Sequence, residues 1–236
     1  FMSHIKNMQN FDKVIAVCTG LGGTYNPGKQ NLRVESLTAL LNNAHSALES
    51  LKVAKTNFEY ATNYREVAFR NLPKLTGRII SELKSSEVLV QTVDDARYIH
   101  RKLTGFRVSR DPVPPEKAEA TSQKKFIAKG RDFTTQADHF AKLLQTLRTE
   151  PNYQPVPDDL KLPALEARLS DLYAKNGEVM RATVELKNAR SHRDEMLYLK
   201  QGNVHETYLA VRQTVRAAYG FSSQQYKALA GVRFTK

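Results

Sequence analysis

The chain has 236 residues, of which 41% are hydrophobic and 25% charged, and its net charge is +12. Each half carries +6 of that charge, so the basic character belongs to the whole chain rather than to a detachable tail, and it favours anionic partners. One cysteine, Cys18, excludes an intrachain disulfide framework and a cysteine-cluster metal site.

The segment Phe11–Ile15 reads as a short helix. The following stretch, Gly23-Thr-Tyr-Asn-Pro-Gly28-Lys29-Gln30, satisfies the spacing G-x-x-x-x-G-K of a phosphate-binding loop. That loop chemistry needs backbone N–H groups around the phosphates and a Ser or Thr hydroxyl for magnesium. Gln30 stands at the hydroxyl position and Pro27 removes a donor, so the stretch is read as a connection between helices.

From about Leu32 to Leu72 the apolar residues Leu37, Leu41, Ala44, Leu48, Leu51 and Phe58 recur at spacings of three and four, interrupted once at Lys55. A helix of about 40 residues is expected, about 60 Å long, which must lie lengthwise against other helices. Pro73 is expected to close it. Two shorter helices follow, Lys74–Lys84 and Thr92–Leu103, the second introduced by Asp94 and Asp95 and ended by Gly105.

The stretch 108–123 carries Pro112, Pro114 and Pro115 among polar residues and reads as a linker. Beyond it the pattern returns. YQPVPDDLKLPALEARL at Tyr153 answers YNPGKQNLRVESLTALL at Tyr25, a shift of 128 that superposes Tyr25 on Tyr153, Pro27 on Pro155, Leu32 on Leu160, Leu37 on Leu165 and Leu41 on Leu169. Phe11, Lys13, Val14 and Ile15 match Phe140, Lys142, Leu143 and Leu144, and LTGFRVSR at Leu103 matches LAGVRFTK at Leu229. A second long helix is predicted through Leu165, Leu169, Leu172, Val179 and Leu186, with Pro163 in its first turn and Asn176 where Leu48 stands in the first copy. Helices at about Asn203–Ala218 and Ser222–Leu229, the last ended by Gly231, complete the copy. The expected organisation is therefore all-α, a tandem-duplicated helical bundle of two pseudo-symmetric repeats, each with one long helix and several short ones. The first repeat is 1–107, the linker 108–123 and the second repeat 124–236.

No catalytic constellation emerges. No histidine has a Glu three residues before it, as di-iron bundles require, and His205-Glu206 does not continue into a zinc-protease motif. Asp94-Asp95 and Asp158-Asp159 are adjacent carboxylates that point apart on a helix and suit helix N-termini. Cys18 on an apolar face reads as a small buried hydrophobe. No cofactor and no metal are expected.

What remains is the basic, partly aromatic end of each copy. The candidate anion-binding or nucleic-acid-binding residues are Arg97, Arg101, Lys102 and Arg107 in the first copy, and Arg212, Arg216, Lys227 and Arg233 in the second. Cations neutralise phosphates and rings stack on bases; the competing reading makes the rings core and the cations a solvated face. After Glu206 the chain has no acidic residue.

The order YNPGKxxL, a long Leu/Ala helix and a closing SSQQYKALAGVRFTK resembles duplicated all-helical proteins of Bacteroidota to which no activity is assigned, so the resemblance implies the fold and no functional residue. The expected function is a non-enzymatic helical interaction or structural protein with a protein partner, itself or another. The alternative is nucleic-acid binding through both basic ends. No apolar run is long enough for a membrane span and the N-terminal segment is not read as a secretory signal, so a cytoplasmic location is expected.

Overall fold

The structure is a computed structural model, which describes residues 2–105 and 132–234. Among the described residues every regular element is helical: α1 (Met2–Gly20), α2 (Val34–Arg70), α3 (Leu72–Ser85), α4 (Val90–Thr104), α5 (Phe133–Arg148), α6 (Leu162–Asp194), α7 (Val204–Tyr219) and α8 (Gln224–Ala230). The expected linker 108–123 lies outside the described residues. No described helix is long and apolar enough to cross a membrane.

The helix boundaries follow local chemistry. Pro73 stands in the first turn of α3, where its missing N–H costs nothing, so the proline that ends α2 also starts its successor. Side-chain oxygens of Asp132, Asn203 and Ser223 accept the N–H groups of Thr135, Glu206 and Tyr226 and so cap α5, α7 and α8. Gly105 ends α4 at φ 74°, a left-handed conformation that favours glycine, and its N–H bonds the carbonyl of Arg101. Gly231, read as its counterpart, sits instead at φ −75°, which any residue adopts. At the end of α6 the chain widens into a π turn over Glu195–Leu199, closed by the Lys200 N–H on the Glu195 carbonyl at 2.9 Å.

The chain forms two compact units that are not chain-order halves. One comprises Phe1–Phe58 and Ala182–Lys236, the other Glu59–Arg181. The expected repeats 1–107 and 124–236 therefore each contribute to both. The reason lies in the long helices: Leu37, Leu41, Ala44 and Leu48 of α2 belong to one apolar cluster, whereas Ala68 and Phe69 of the same helix belong to another.

The first unit packs α1, α7 and α8 with the opening of α2. Its centre is Met8, Phe11, Val14 and Cys18 from α1, Leu37 from α2, and Tyr208, Val211 and Val215 from α7. Two buried asparagines interrupt the apolar face of α1, and both are paired. Asn7 Nδ2 donates to the Tyr198 hydroxyl at 2.7 Å, and Asn10 Nδ2 to the Arg233 carbonyl at 2.7 Å.

The second unit packs α3, α4 and α5 with the end of α2 and the start of α6. Ile79, Leu83, Ala96, Leu103, Phe140, Leu143 and Leu165 fill its core. Arg168 donates to the carbonyl of Ala68, one of the last-turn carbonyls of α2 that has no partner inside the helix. Arg78 makes a two-pronged ion pair with Asp159, an exposed contact of small energetic weight.

The same loop geometry occurs in each unit. Buried Tyr25 donates its hydroxyl to the Leu32 carbonyl at 2.8 Å, and buried Tyr153 donates to the Leu160 carbonyl at 2.8 Å. Each acceptor closes a short 3-10 turn, Gln30–Leu32 or Asp158–Leu160, which leads into a long helix. Pro27 and Pro155, Leu37 and Leu165, Phe11 and Phe140, and Leu103 and Leu229 are all buried. Where the patterns differ, a polar group is left over. Asn176, in the register of buried Leu48, donates Nδ2 to the Phe133 carbonyl at 3.2 Å while its Oδ1 is buried without a partner.

The second unit also holds a pH-sensitive contact. Thr76 is fully buried, and its hydroxyl lies 2.7 Å from His100 Nδ1. Burial lowers the His100 pKa below the ordinary value of 6.5. Between the lowered folded value and about 6.5 the unfolded chain binds the extra proton, so stability rises with pH across that window. Thermal melts are therefore expected to fall as pH drops through 6.5 and to level off below the folded pKa. His100→Asn should flatten part of that slope. His139 in the same unit, lowered by burial and then by Lys142 and Lys102, and His4 in the first unit, lowered by burial and then by Arg193, retain the rest. An unchanged slope in the variant would remove His100 as the source.

Candidate anion-binding surfaces

The site residues expected from the sequence fall on two different units. In the second unit, Arg97, Arg101 and Lys102 are exposed on α4. Arg97 is already paired, its Nη1 donating to Asp94 Oδ1 at 2.6 Å. Lys102 Nζ lies 4.5 Å from the centroid of the Tyr98 ring and pulls the Tyr98 hydroxyl pKa below its ordinary value. Asp94, read as a helix-start acid, instead sits in the second turn of α4 as the partner of Arg97. Arg107 lies outside the described residues. The α4 face therefore offers two cations, Arg101 and Lys102, that make no ion pair among the described residues.

In the first unit the four cations divide. Lys227 and Arg233 are exposed; the carbonyl of Arg233 anchors the end of the described chain to Asn10. Arg212 and Arg216 lie one helical turn apart on α7 and face a depression of about 330 Å³ lined by Leu209, Arg212, Gln213, Arg216 and Tyr226. Their spacing places them on one helix face. The Arg212 Nη2 donates to the Tyr226 hydroxyl at 3.1 Å and its Cζ is 5.4 Å from that ring's centroid. The Arg216 Cζ is 5.4 Å from the Phe221 ring, and the two rings are 5.3 Å apart, tilted by 41°. The four side chains thus form a row, with a guanidinium at each end and two aromatic rings between.

Two features make this row receptive to an anion. Among the described residues neither Arg212 nor Arg216 makes an ion pair. Gln213 adds a neutral donor between them. It also forms part of a neighbouring depression of about 350 Å³ that includes Pro27, Gly28 and Lys29. Among the described residues no Asp or Glu lines either depression.

The aromatic residues of this end are mostly packing groups. Tyr208 and Tyr226 are buried; the Tyr208 hydroxyl lies 2.8 Å from the Val232 carbonyl, and its ring lies 4.6 Å from that of Phe234. Among the described aromatic residues of this end Phe221, 64% exposed, is the most open to a stacking partner. The sequence reading did not include Leu209 and Gln213. Their signal was the spacing 209, 212, 213, 216, which is one face of a helix.

The other sequence candidates take structural positions. The stretch resembling a phosphate loop follows a helix, not a strand, and its Tyr25 and Pro27 are buried. Cys18 is buried, which pushes its thiol pKa up and keeps it protonated. Among the described residues no three His, Cys, Asp or Glu side chains are grouped closely enough to hold a metal. His4 and His205 pack beside Tyr198 and Phe234, with ring centroids 5.8 Å and 5.9 Å apart.

Comparison with protein-family models, with curated proteins and with solved structures gives no match to this chain.

Proposed function

We propose that this chain is a non-enzymatic helical interaction protein that engages an acidic protein partner through the exposed face of α2. The observation that carries this reading is the stripe Tyr60, Tyr64 and Val67, at helical spacing and 59%, 60% and 55% exposed. Tyrosines are enriched at the centres of protein interfaces, where a large ring is buried at small entropic cost. A net charge of +12 opposes self-association and favours a partner of opposite sign.

The proposed origin is duplication, as in the Bacteroidota proteins the chain resembles. The buried pairs Phe11 and Phe140, Tyr25 and Tyr153, and Leu37 and Leu165 support it. On this reading each compact unit combines the first part of one repeat with the second part of the other, exchanged along the two long helices. The single buried thiol suits the cytoplasm.

The test is co-purification from the native cell with the wild-type chain and with Tyr60→Ser/Tyr64→Ser. Both side chains are largely exposed, so the variant should melt within about 0.5 kcal/mol of the wild type. An acidic protein retained by the wild type and lost by the variant is the expected result. Identical retention by both overturns the reading.

The second reading, nucleic-acid binding, draws on the cations Arg97, Arg101, Lys102, Arg212, Arg216, Lys227 and Arg233. It requires that affinity for DNA or RNA fall steeply with salt. Titrations without binding at low ionic strength end it.

A further inference from the structure

We propose that Arg212 and Arg216 form a receptor for a phosphate monoester, with Gln213 as a neutral donor and Phe221 as a wall for whatever the phosphate is attached to. This does not rest on the protein-partner reading, and it narrows the nucleic-acid one, because it selects a terminal phosphate over an internal diester.

Two guanidinium groups open onto one depression of about 330 Å³ with no carboxylate among the described residues of its lining. A phosphate monoester carries a charge of about −1.5 to −2 near pH 7, which matches two cations. A diester carries one negative charge and would leave one guanidinium unbalanced. Sulfate shares the dianionic charge and is the proper competitor.

Geometry supplies the second step. Arg212 is held by the Tyr226 hydroxyl at 3.1 Å and by the adjacent Tyr226 ring, so part of its ordering cost is already met before a ligand arrives. Arg216 is exposed and free to close onto the ligand from the other side. Guanidinium groups suit this task because their planar donor arrays match phosphate oxygens in two-pronged fashion. The 64% exposure of Phe221 beside Arg216 gives an apolar substituent a surface to cover.

The probe is phenyl phosphate, titrated in a phosphate-free, low-salt buffer and followed by amide chemical shifts and calorimetry. The wild type should show saturable binding, with shifts centred on α7 and α8. Arg216→Gln removes an exposed head group without touching the core and should weaken binding at least tenfold. Arg212→Gln should do the same; its melting curve separates lost binding from the lost Tyr226 contact. Affinity should fall as pH drops below about 6, where the monoester dianion takes up one proton and becomes a monoanion.

A single-stranded thymidine oligonucleotide, with and without a terminal phosphate, distinguishes the sources. Preference for the phosphorylated oligonucleotide, lost in Arg216→Gln, supports the proposal for nucleic-acid ends. Binding of phenyl phosphate without that preference supports it for a small-molecule or protein-borne monoester. Equal binding of both oligonucleotides without phenyl phosphate binding overturns it in favour of a diester surface. Absence of saturable phenyl phosphate binding at millimolar concentration, or unchanged affinity in Arg216→Gln, also overturns it.

Discussion

Phe11→Ala and Phe140→Ala should each destabilise the protein by about 3–5 kcal/mol, through lost burial and the cavity left in a packed core. Both rings are fully buried, Phe11 in the cluster with Val14, Leu37 and Val211, and Phe140 in the cluster with Ile79, Leu103 and Leu165. Neither cluster contains residues of the other, so the damage should be local to a unit. Hydrogen exchange resolves this better than a single melting temperature, because a chain of two compact units need not unfold in one step. Phe11→Ala should lose protection in α1, the opening of α2, α7 and α8. Phe140→Ala should lose it in α3, α4, α5 and the start of α6. Equal loss across both units in either variant would show that the clusters do not unfold as separate bodies.

That partition is the part of the fold the sequence does not disclose. The helices themselves are legible. The stripe from Leu37 to Phe58 predicts a long helix from about Leu32 to Leu72 and that from Leu165 a second one, where the structure has Val34–Arg70 and Leu162–Asp194, because an apolar face of period 3.6 has few other uses. A stripe fixes which face is buried but not which helix covers it. Leu48 and Phe69 are on one continuous helix and pack into different clusters. The length of α1 was hidden for a related reason. Asn7 and Asn10 interrupt its apolar face, and their partners, Tyr198 and the Arg233 carbonyl, lie 191 and 223 residues away. Only the folded chain brings those groups within reach.

The candidate site was legible in charge and illegible in geometry. The absence of acids after Glu206 identified the basic end, and helical spacing put Arg212 and Arg216 on one face. The same spacing does not say that Tyr226 is buried and braces Arg212, whereas Phe221 is open. Nor does it separate Arg97, which already has Asp94 as a partner, from Arg216, which makes no ion pair among the described residues. In each case the deciding fact is the identity of the neighbour, and composition reports only the charge.

Tyr25→Phe and Tyr153→Phe should each cost about 1–3 kcal/mol, more than an average hydrogen bond contributes. The hydroxyl of each tyrosine donates to a backbone carbonyl, Leu32 or Leu160, in a buried pair at 2.8 Å. Deleting the oxygen leaves that carbonyl buried and facing a ring that cannot donate, so the desolvation penalty of the acceptor is added to the lost bond. Burial also pushes the Tyr153 hydroxyl up to about 12, aided by Glu82 and Asp159 nearby, so the donor keeps its proton throughout the ordinary pH range. The penalty should therefore be independent of pH between about 5 and 9, in contrast to the His100 effect. Each carbonyl closes the 3-10 turn that aims a long helix, Gln30–Leu32 before α2 and Asp158–Leu160 before α6. Loss of the bond should loosen the turn first, raising exchange at the Arg33 and Lys161 amides before it lowers the melting temperature. The two variants should behave alike, because each unit presents the same tyrosine, the same acceptor seven residues on and the same turn. A large cost for one and none for the other would mean that only one tyrosine clamps its loop. Similar costs, adding within about 0.5 kcal/mol in the double variant, are expected for two separate loops held by the same bond.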